Sequence, residues 1–145
     1  MKTILITGAS SGIGCALAKI YAENSHNLVL VARREEKLKN LFNLSKGEHK
    51  LKDLKEELEK KHSISVIIEV MDLSKKENLE ILSLKYKNID VLINNAGLGQ
   101  YGKFDSYNLE TDISMINLNI LTPIILTNFF AKSMKNGSKI INIAS

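Results

Sequence analysis

Eight residues near the start, Thr7-Gly8-Ala9-Ser10-Ser11-Gly12-Ile13-Gly14, have types and spacing suited to holding a phosphate. An apolar run, Ile4 to Thr7, precedes them, and a helical pattern follows. Gly8 suits a tight turn out of a strand. Gly12 lets the backbone approach a pyrophosphate with no Cβ in the way, and Gly14 allows a helix to pack close on a sheet. The N-terminus of that helix offers free N–H groups and the positive end of a dipole to an anion. Glycine spacing alone is a weak signal; the strand-turn-helix setting is what gives it weight.

Other reactive side chains are sparse. The one cysteine, Cys15, cannot close a disulfide within the chain and follows Gly14 at a helix start, where a redox switch is the alternative to packing. A small packing residue is the expected role. His26, His49 and His62 fall near turns or on a charged helix and make no metal or nucleophile constellation with Cys15, so no metal site is expected. Asn119 stands four residues before Pro123, the only proline. Proline has no N–H to return to the Asn119 carbonyl, so the helix should be interrupted there, with room for a water.

The elements that would position these groups alternate. Apolar runs at Ile4 to Thr7, Asn27 to Ala32, Ser65 to Val70, Ile89 to Ile93 and Lys139 to Ala144 read as strands. Between them lie helical stretches. In the first, Ile13, Leu17, Ile20 and Tyr21 share a face. The second, from Glu35 to about Lys61, carries Leu51, Leu54 and Leu58 on one stripe, with Glu56–Lys60 and Glu57–Lys61 spaced as ion pairs. The third should begin at a Ser74–Glu77 capping box and end near Tyr86. The fourth is a long apolar stretch from about Leu109 to Met134. Lys37-Leu38-Lys39-Asn40-Leu41 is nearly repeated as Lys50-Leu51-Lys52-Asp53-Leu54, so residues 38–50 read as a local insertion, with Gly47 breaking the helix. Strand-helix repeats of this length predict an α/β fold, a doubly wound parallel sheet of Rossmann type, in one domain over 1–145.

Composition sets the outer limits. The 145 residues are 44% hydrophobic and 25% charged, ordinary for a globular domain and incompatible with disorder or a cysteine scaffold. Twenty basic and sixteen acidic residues are interleaved, which argues against a nucleic-acid groove. The N-terminus lacks a signal-peptide core, and no apolar run is expected to span a membrane. A cytoplasmic protein is the expectation.

The octet resembles the nucleotide-binding motif of the short-chain dehydrogenase/reductase family, which spaces its glycines as TGxxxGxG. The likeness continues through Asp72, Asn94-Asn95-Ala96-Gly97, Asn119 and the strand ending at Ser145. It implies an oxidoreductase that moves a hydride between a nicotinamide cofactor and a carbonyl or alcohol substrate. By that resemblance Gly8, Ser10, Ser11, Gly12, Ile13 and Gly14 bind the cofactor, Ser10 as a helper in holding a 2′-phosphate. Asp72 and the Leu73 backbone meet adenine, and Asn95, Ala96 and Gly97 pass close to ribose, with both asparagines free to pin the loop to backbone. Asn119 and Ser145 match two of the family's catalytic residues. The position where an acid would select an unphosphorylated ribose is Ala32, and Arg33 and Arg34 follow it. Guanidinium groups there favour a 2′-phosphate, so NADP(H) is the expected cofactor.

One departure is large. The family's acid-base pair is Tyr-x-x-x-Lys, and Tyr21, Tyr86, Tyr101 and Tyr107 are followed at that offset by Ser25, Asp90, Asp105 and Thr111. The domain is therefore expected to be C-terminally incomplete relative to the family and inactive alone in carbonyl reduction. The alternative is a non-catalytic nucleotide-binding or interaction module that pairs with another chain. The fifth strand's edge and Ile113, Ile116, Ile120, Ile124 and Leu126 are then expected to be exposed and to self-associate.

Overall fold

The computed structural model describes residues 1–33, 46–106 and 108–144. Arg34, Ser145, Tyr107, the His49 side chain and most of the expected insertion lie outside the described residues.

The five apolar runs form one parallel sheet in the order β3-β2-β1-β4-β5. The strands are β1 Thr3–Thr7, β2 Asn27–Ala32, β3 Val66–Val70, β4 Val91–Asn94 and β5 Lys139–Asn142. The order reverses between β1 and β4, which opens a crevice at the strands' carboxyl ends. Helix α1 is Gly12–Glu23, α2 Lys46–Lys61, α3 Lys76–Lys85, α4 Leu109–Ile116 and α5 Thr122–Ala131. One core joins α1 and α2 to the face carrying Ile4, Ile6, Leu28 and Leu30. The other joins α3 and α5 to the face carrying Leu5, Val29, Val31 and Leu92. The doubly wound architecture is thus as expected.

Several local expectations need correction. In α1 the buried residues are Gly14, Ala18 and Ala22. Leu17 and Tyr21 pack beside them, whereas Ile13 and Ile20 are exposed. Small side chains, at i, i+4 spacing, let this helix lie close to the sheet, so size and not hydrophobicity picks the inward face. Gly47 does not break α2; it falls in the first turn of that helix, where backbone N–H groups have no intrahelical partner in any case. The stripe Leu51, Leu54 and Leu58 is buried as expected. Lys61 closes on Glu57 at 2.9 Å, and Lys61, followed by Lys19, holds the Glu57 carboxyl below its usual range.

The Ser74–Glu77 capping box does not form. Helix α3 is capped by Lys75, with no side-chain bond. The Ser74 hydroxyl instead donates to Asp72 Oδ1 at 2.7 Å, and the Ser74 N–H donates to the same oxygen at 2.9 Å. Asp72 forms an Asx turn and so takes the hydroxyl away from the helix end. At the other end of α3, Tyr86 and Lys85 both donate to Glu69 of β3. Partial burial, and then Glu69, push the Tyr86 phenol well above its ordinary pKa.

The fourth helical stretch is interrupted by a π-helical segment, Asn117–Leu121, directly before α5. Pro123 sits in the first turn of α5, directly after the π segment, and has no N–H to donate to the Asn119 carbonyl four residues back. The wide turn is closed by the Thr122 N–H donating to the Asn117 carbonyl. Leu109–Ala131 does have the length and apolarity of a membrane span, with a mean hydropathy of 1.5, contrary to expectation. The interrupted stretch buries Leu118, Thr122, Leu126 and Phe130 against α3 and the sheet. Leu126 is therefore core and not part of the exposed face. Ile113, Ile116, Ile120 and Ile124 are about half exposed, as anticipated.

Candidate functional site

The carboxyl ends of β1, β2, β3 and β4 surround a cleft of about 280 Å³. Gly8, Ser10 and Ser11 form one wall. Val31, Ala32 and Arg33 come from the end of β2, and Met71, Asp72 and Leu73 follow β3. Asn95, Ala96 and Gly97 follow β4, and Leu118 of the π segment closes the back. Nine of the sequence-selected residues thus meet in one place. Gly12, Ile13 and Gly14 lie on the same turn but do not line the cleft.

The glycine turn is fixed by geometry that few other residues could adopt. Gly8 has φ +68°, and a Cβ there would lie 2.9 Å from the Ala96 Cα. Gly12 has φ +55°, and a Cβ there would meet nothing within 4 Å. Its side of the loop is therefore open, as an approaching anion would need. At Gly14 a Cβ would stand 2.3 Å from the Gly8 carbonyl oxygen and 2.6 Å from Asn95 Nδ2. Helix α1, whose N-cap residue Ser11 lines the cleft, consequently starts hard against the turn.

A buried threonine ties this turn to the loop after β4. The Thr7 hydroxyl donates to the Ile93 carbonyl at 3.3 Å and accepts from the N–H groups of Asn95 and Ala96 at 2.9 and 3.0 Å. One donor and two acceptor positions are all that a hydroxyl has, so its capacity is filled. Asn95 returns the contact: its Nδ2 donates to the carbonyls of Thr7 and Gly8, each at 3.1 Å. Sequence reasoning assigned Thr7 no role. Its place as the last residue of the first strand, next to Gly8, was the available signal.

Asn94 behaves differently from the expectation that both asparagines bond backbone. Its Nδ2 donates to side chains, Asn142 Oδ1 at 2.8 Å and Thr127 Oγ1 at 3.2 Å, joining β4 to β5 and α5. Asn119 also acts through its side chain. Leu98 N–H donates to Asn119 Oδ1, and Asn119 Nδ2 donates to the Leu98 carbonyl, both at 2.8 Å. The amide thus reads one residue's backbone like a strand partner and anchors the loop after Gly97 to the π segment. Cys15 is partly buried against the α1 core, in keeping with a packing role. Among the described residues no cluster of metal-ligating side chains is present.

A second, larger cleft of about 850 Å³ runs along α5, with Asn119 in its wall. It is lined by Ile120, Pro123 and Ile124 from the helix and by Asn142, Ile143 and Ala144 from the sheet.

The family profile described as short chain dehydrogenase matches residues 2–145. The chain belongs to the short-chain dehydrogenase/reductase family. Among curated relatives, the NADP-dependent 3-hydroxy acid dehydrogenase of Schizosaccharomyces pombe is 35% identical over 99% of this chain and 54% of its own length. Two solved structures superpose over the whole chain with a TM-score of 0.84. One is a short-chain dehydrogenase from Sphingobium yanoikuyae in complex with NADPH, 32% identical, of which 54% is covered. The other is the bulky-bulky ketone specific alcohol dehydrogenase from Comamonas testosteroni, 31% identical, of which 55% is covered. The chain therefore spans about half the length of the family members it matches.

Proposed function

We propose that the cleft at the β1/β4 switch point binds NADP(H), and that the protein is an NADP-dependent oxidoreductase to which these 145 residues contribute the cofactor half. The observation that carries the reading is Arg33, which lines the cleft directly after Ala32 with no acid at the end of β2. A guanidinium at that place suits a 2′-phosphate, and a carboxylate would suit a free 2′-hydroxyl. The fit extends to the glycine turn, whose crowded positions leave space for a Cβ only at Gly12, on the open side.

In this reading Gly8, Ser11, Gly12, Ile13 and Gly14 present the start of α1 to the pyrophosphate, and Ser10 helps to hold the 2′-phosphate. Arg33, with Arg34 beside it in sequence, holds the 2′-phosphate. Asp72 and Leu73 meet the adenine, and Asn95, Ala96 and Gly97 border the ribose. When bound, the cofactor supplies a hydride for a carbonyl or accepts one from an alcohol. Asn119 and Ser145 belong to the reacting end. Asn119 there fixes the Leu98 backbone. The proton must come from a Tyr-x-x-x-Lys pair that these residues do not contain, so turnover requires further chain or a partner. The lone Cys15, with no second cysteine, fits a reducing, cytoplasmic setting.

A second reading is a nucleotide-binding module that pairs with another chain. It is favoured by the half-exposed Ile113, Ile116, Ile120 and Ile124 and by the open cleft along α5.

The test is a titration with NADPH and NADH, followed by nucleotide fluorescence and thermal shift, on the parent chain and on Arg33→Asp. The parent should prefer NADPH. The variant should lose about 1.5–3 kcal/mol of NADPH affinity, roughly ten- to a hundredfold, while NADH binding holds or improves. An unchanged preference in Arg33→Asp would remove Arg33 from the site.

A further inference from the structure

Strand β3 is an edge of the sheet among the described residues. Its register with β2 pairs Leu28 with Val66, and the Leu28 N–H donates to the Ser65 carbonyl at 2.9 Å. Backbone groups alternate along a strand, so Ser65 and Ile67 face β2 whereas Val66, Ile68 and Val70 turn their N–H and C=O outward. An outward row of this kind is a template for another strand.

The first position of that row is already occupied, and by side chains. Lys55 Nζ donates to the Val66 carbonyl at 2.6 Å. The Val66 N–H donates to Glu59 Oε1 at 2.8 Å. Both side chains come from α2 and also meet each other at 3.4 Å. Each charge thus satisfies the backbone group of matching polarity, and the two charges cancel. A neighbouring strand would offer Val66 the same pattern, one donor and one acceptor.

The order of the pair along the helix points the same way. An i, i+4 pair supports a helix best with the acid nearer the N-terminus, as in Glu57–Lys61 two residues further along. Lys55–Glu59 has the opposite order. For the helix this is the poorer arrangement; for Val66 it places the donor over the carbonyl and the acceptor over the N–H.

We propose that Lys55 and Glu59 act together as a stand-in strand that closes the start of the β3 edge and prevents β3 from pairing with an extended segment of another copy. With Val66 taken, only Ile68 and Val70 remain as outward-facing residues of a five-residue strand, too few to hold a partner in register.

The test compares the parent chain with Lys55→Met/Glu59→Met, which keeps helix propensity and apolar stems but removes both charges. The double variant should assemble further than the parent at equal concentration in sedimentation velocity, with a rise in thioflavin T fluorescence. Its Val66 amide should exchange with deuterium about tenfold faster, the equivalent of losing one backbone hydrogen bond. Sedimentation and dye binding equal to the parent's would overturn the proposal. Should circular dichroism show that this variant does not fold, Lys55→Glu/Glu59→Lys serves instead. That swap keeps the ion pair and net charge and puts the acid first, while opposing each charge to the wrong backbone group. Faster Val66 exchange by about tenfold is expected there, and unchanged exchange would equally overturn the proposal. Neither readout depends on nucleotide, so failure here leaves the cofactor assignment standing.

Discussion

The two clefts share Ala96 in their walls and are built in opposite ways. The one at the β1/β4 switch point is small, and its walls are held by reciprocal bonds among Thr7, Gly8, Asn95 and Ala96. The one along α5 is three times larger by volume, about 850 against 280 Å³, and its helix wall carries half-exposed isoleucines. A nucleotide is recognised by fixed backbone groups, so its site must be rigid before the ligand arrives. An apolar groove gains nothing from rigidity until something covers it. The contrast predicts that substitutions in the bonded turn that shapes the first cleft act on folding and those on the exposed helix face beside the second act on association.

The largest effect is expected at Gly14. A methyl group there would lie 2.3 Å from the Gly8 carbonyl oxygen, and Asn95 Nδ2, at 2.6 Å, is itself bonded to the carbonyls of Thr7 and Gly8. Nothing around it can give way without breaking the turn. Gly14→Ala should cost about 3 kcal/mol or more in urea denaturation, at the upper end for overpacking. A cost below about 1 kcal/mol would mean that the turn yields readily, and the contrast between the clefts would fail.

Next is Thr7, almost fully buried and using every hydrogen-bonding position of its hydroxyl. Thr7→Val keeps the shape and leaves two backbone N–H groups, of Asn95 and Ala96, without their acceptor. A loss of about 2 kcal/mol is expected, together with weaker NADPH binding as the loop after β4 loosens. Thr7→Ser restores the hydroxyl and should recover most of both. Equal stability in the valine and serine variants would show that the hydroxyl does not hold the loop.

Much of the first cleft was legible in the amino-acid sequence, and less of the packing around it. The parallel, doubly wound sheet and the glycine turn follow from alternation and from the conformations that glycine alone tolerates, both local signals. The inward face of α1 was misread because periodicity weighs large apolar residues such as Ile13 and Ile20. Closeness to the sheet instead demanded Gly14, Ala18 and Ala22. The Ser74 cap was misread because an Asx turn at Asp72 competes for the same hydroxyl, and sequence spacing fits both. Asn119 was placed by its family motif, but its pairing with Leu98 joins residues far apart in the chain. Nothing in a local pattern reports such a contact. The Lys55–Glu59 clamp was hidden for the same reason: it resembles any exposed helical ion pair until the strand beneath it is known.

The smallest effect on folding is expected at the second region. Ile116 and Ile120 are about half exposed on the outer face of the π-interrupted helix. Ile116→Gln/Ile120→Gln removes apolar surface already in water, so stability should change by no more than about 0.5 kcal/mol per site. If that face is where the chain self-associates, the same change should weaken assembly by about tenfold per side chain, since each would otherwise bury its remaining apolar area. Sedimentation equilibrium across concentration separates the two quantities. A fall in average mass with an unchanged denaturation midpoint places the face in an interface. A lowered midpoint with unchanged mass would mean that these isoleucines serve the fold itself, and the two regions would then differ in degree and not in kind.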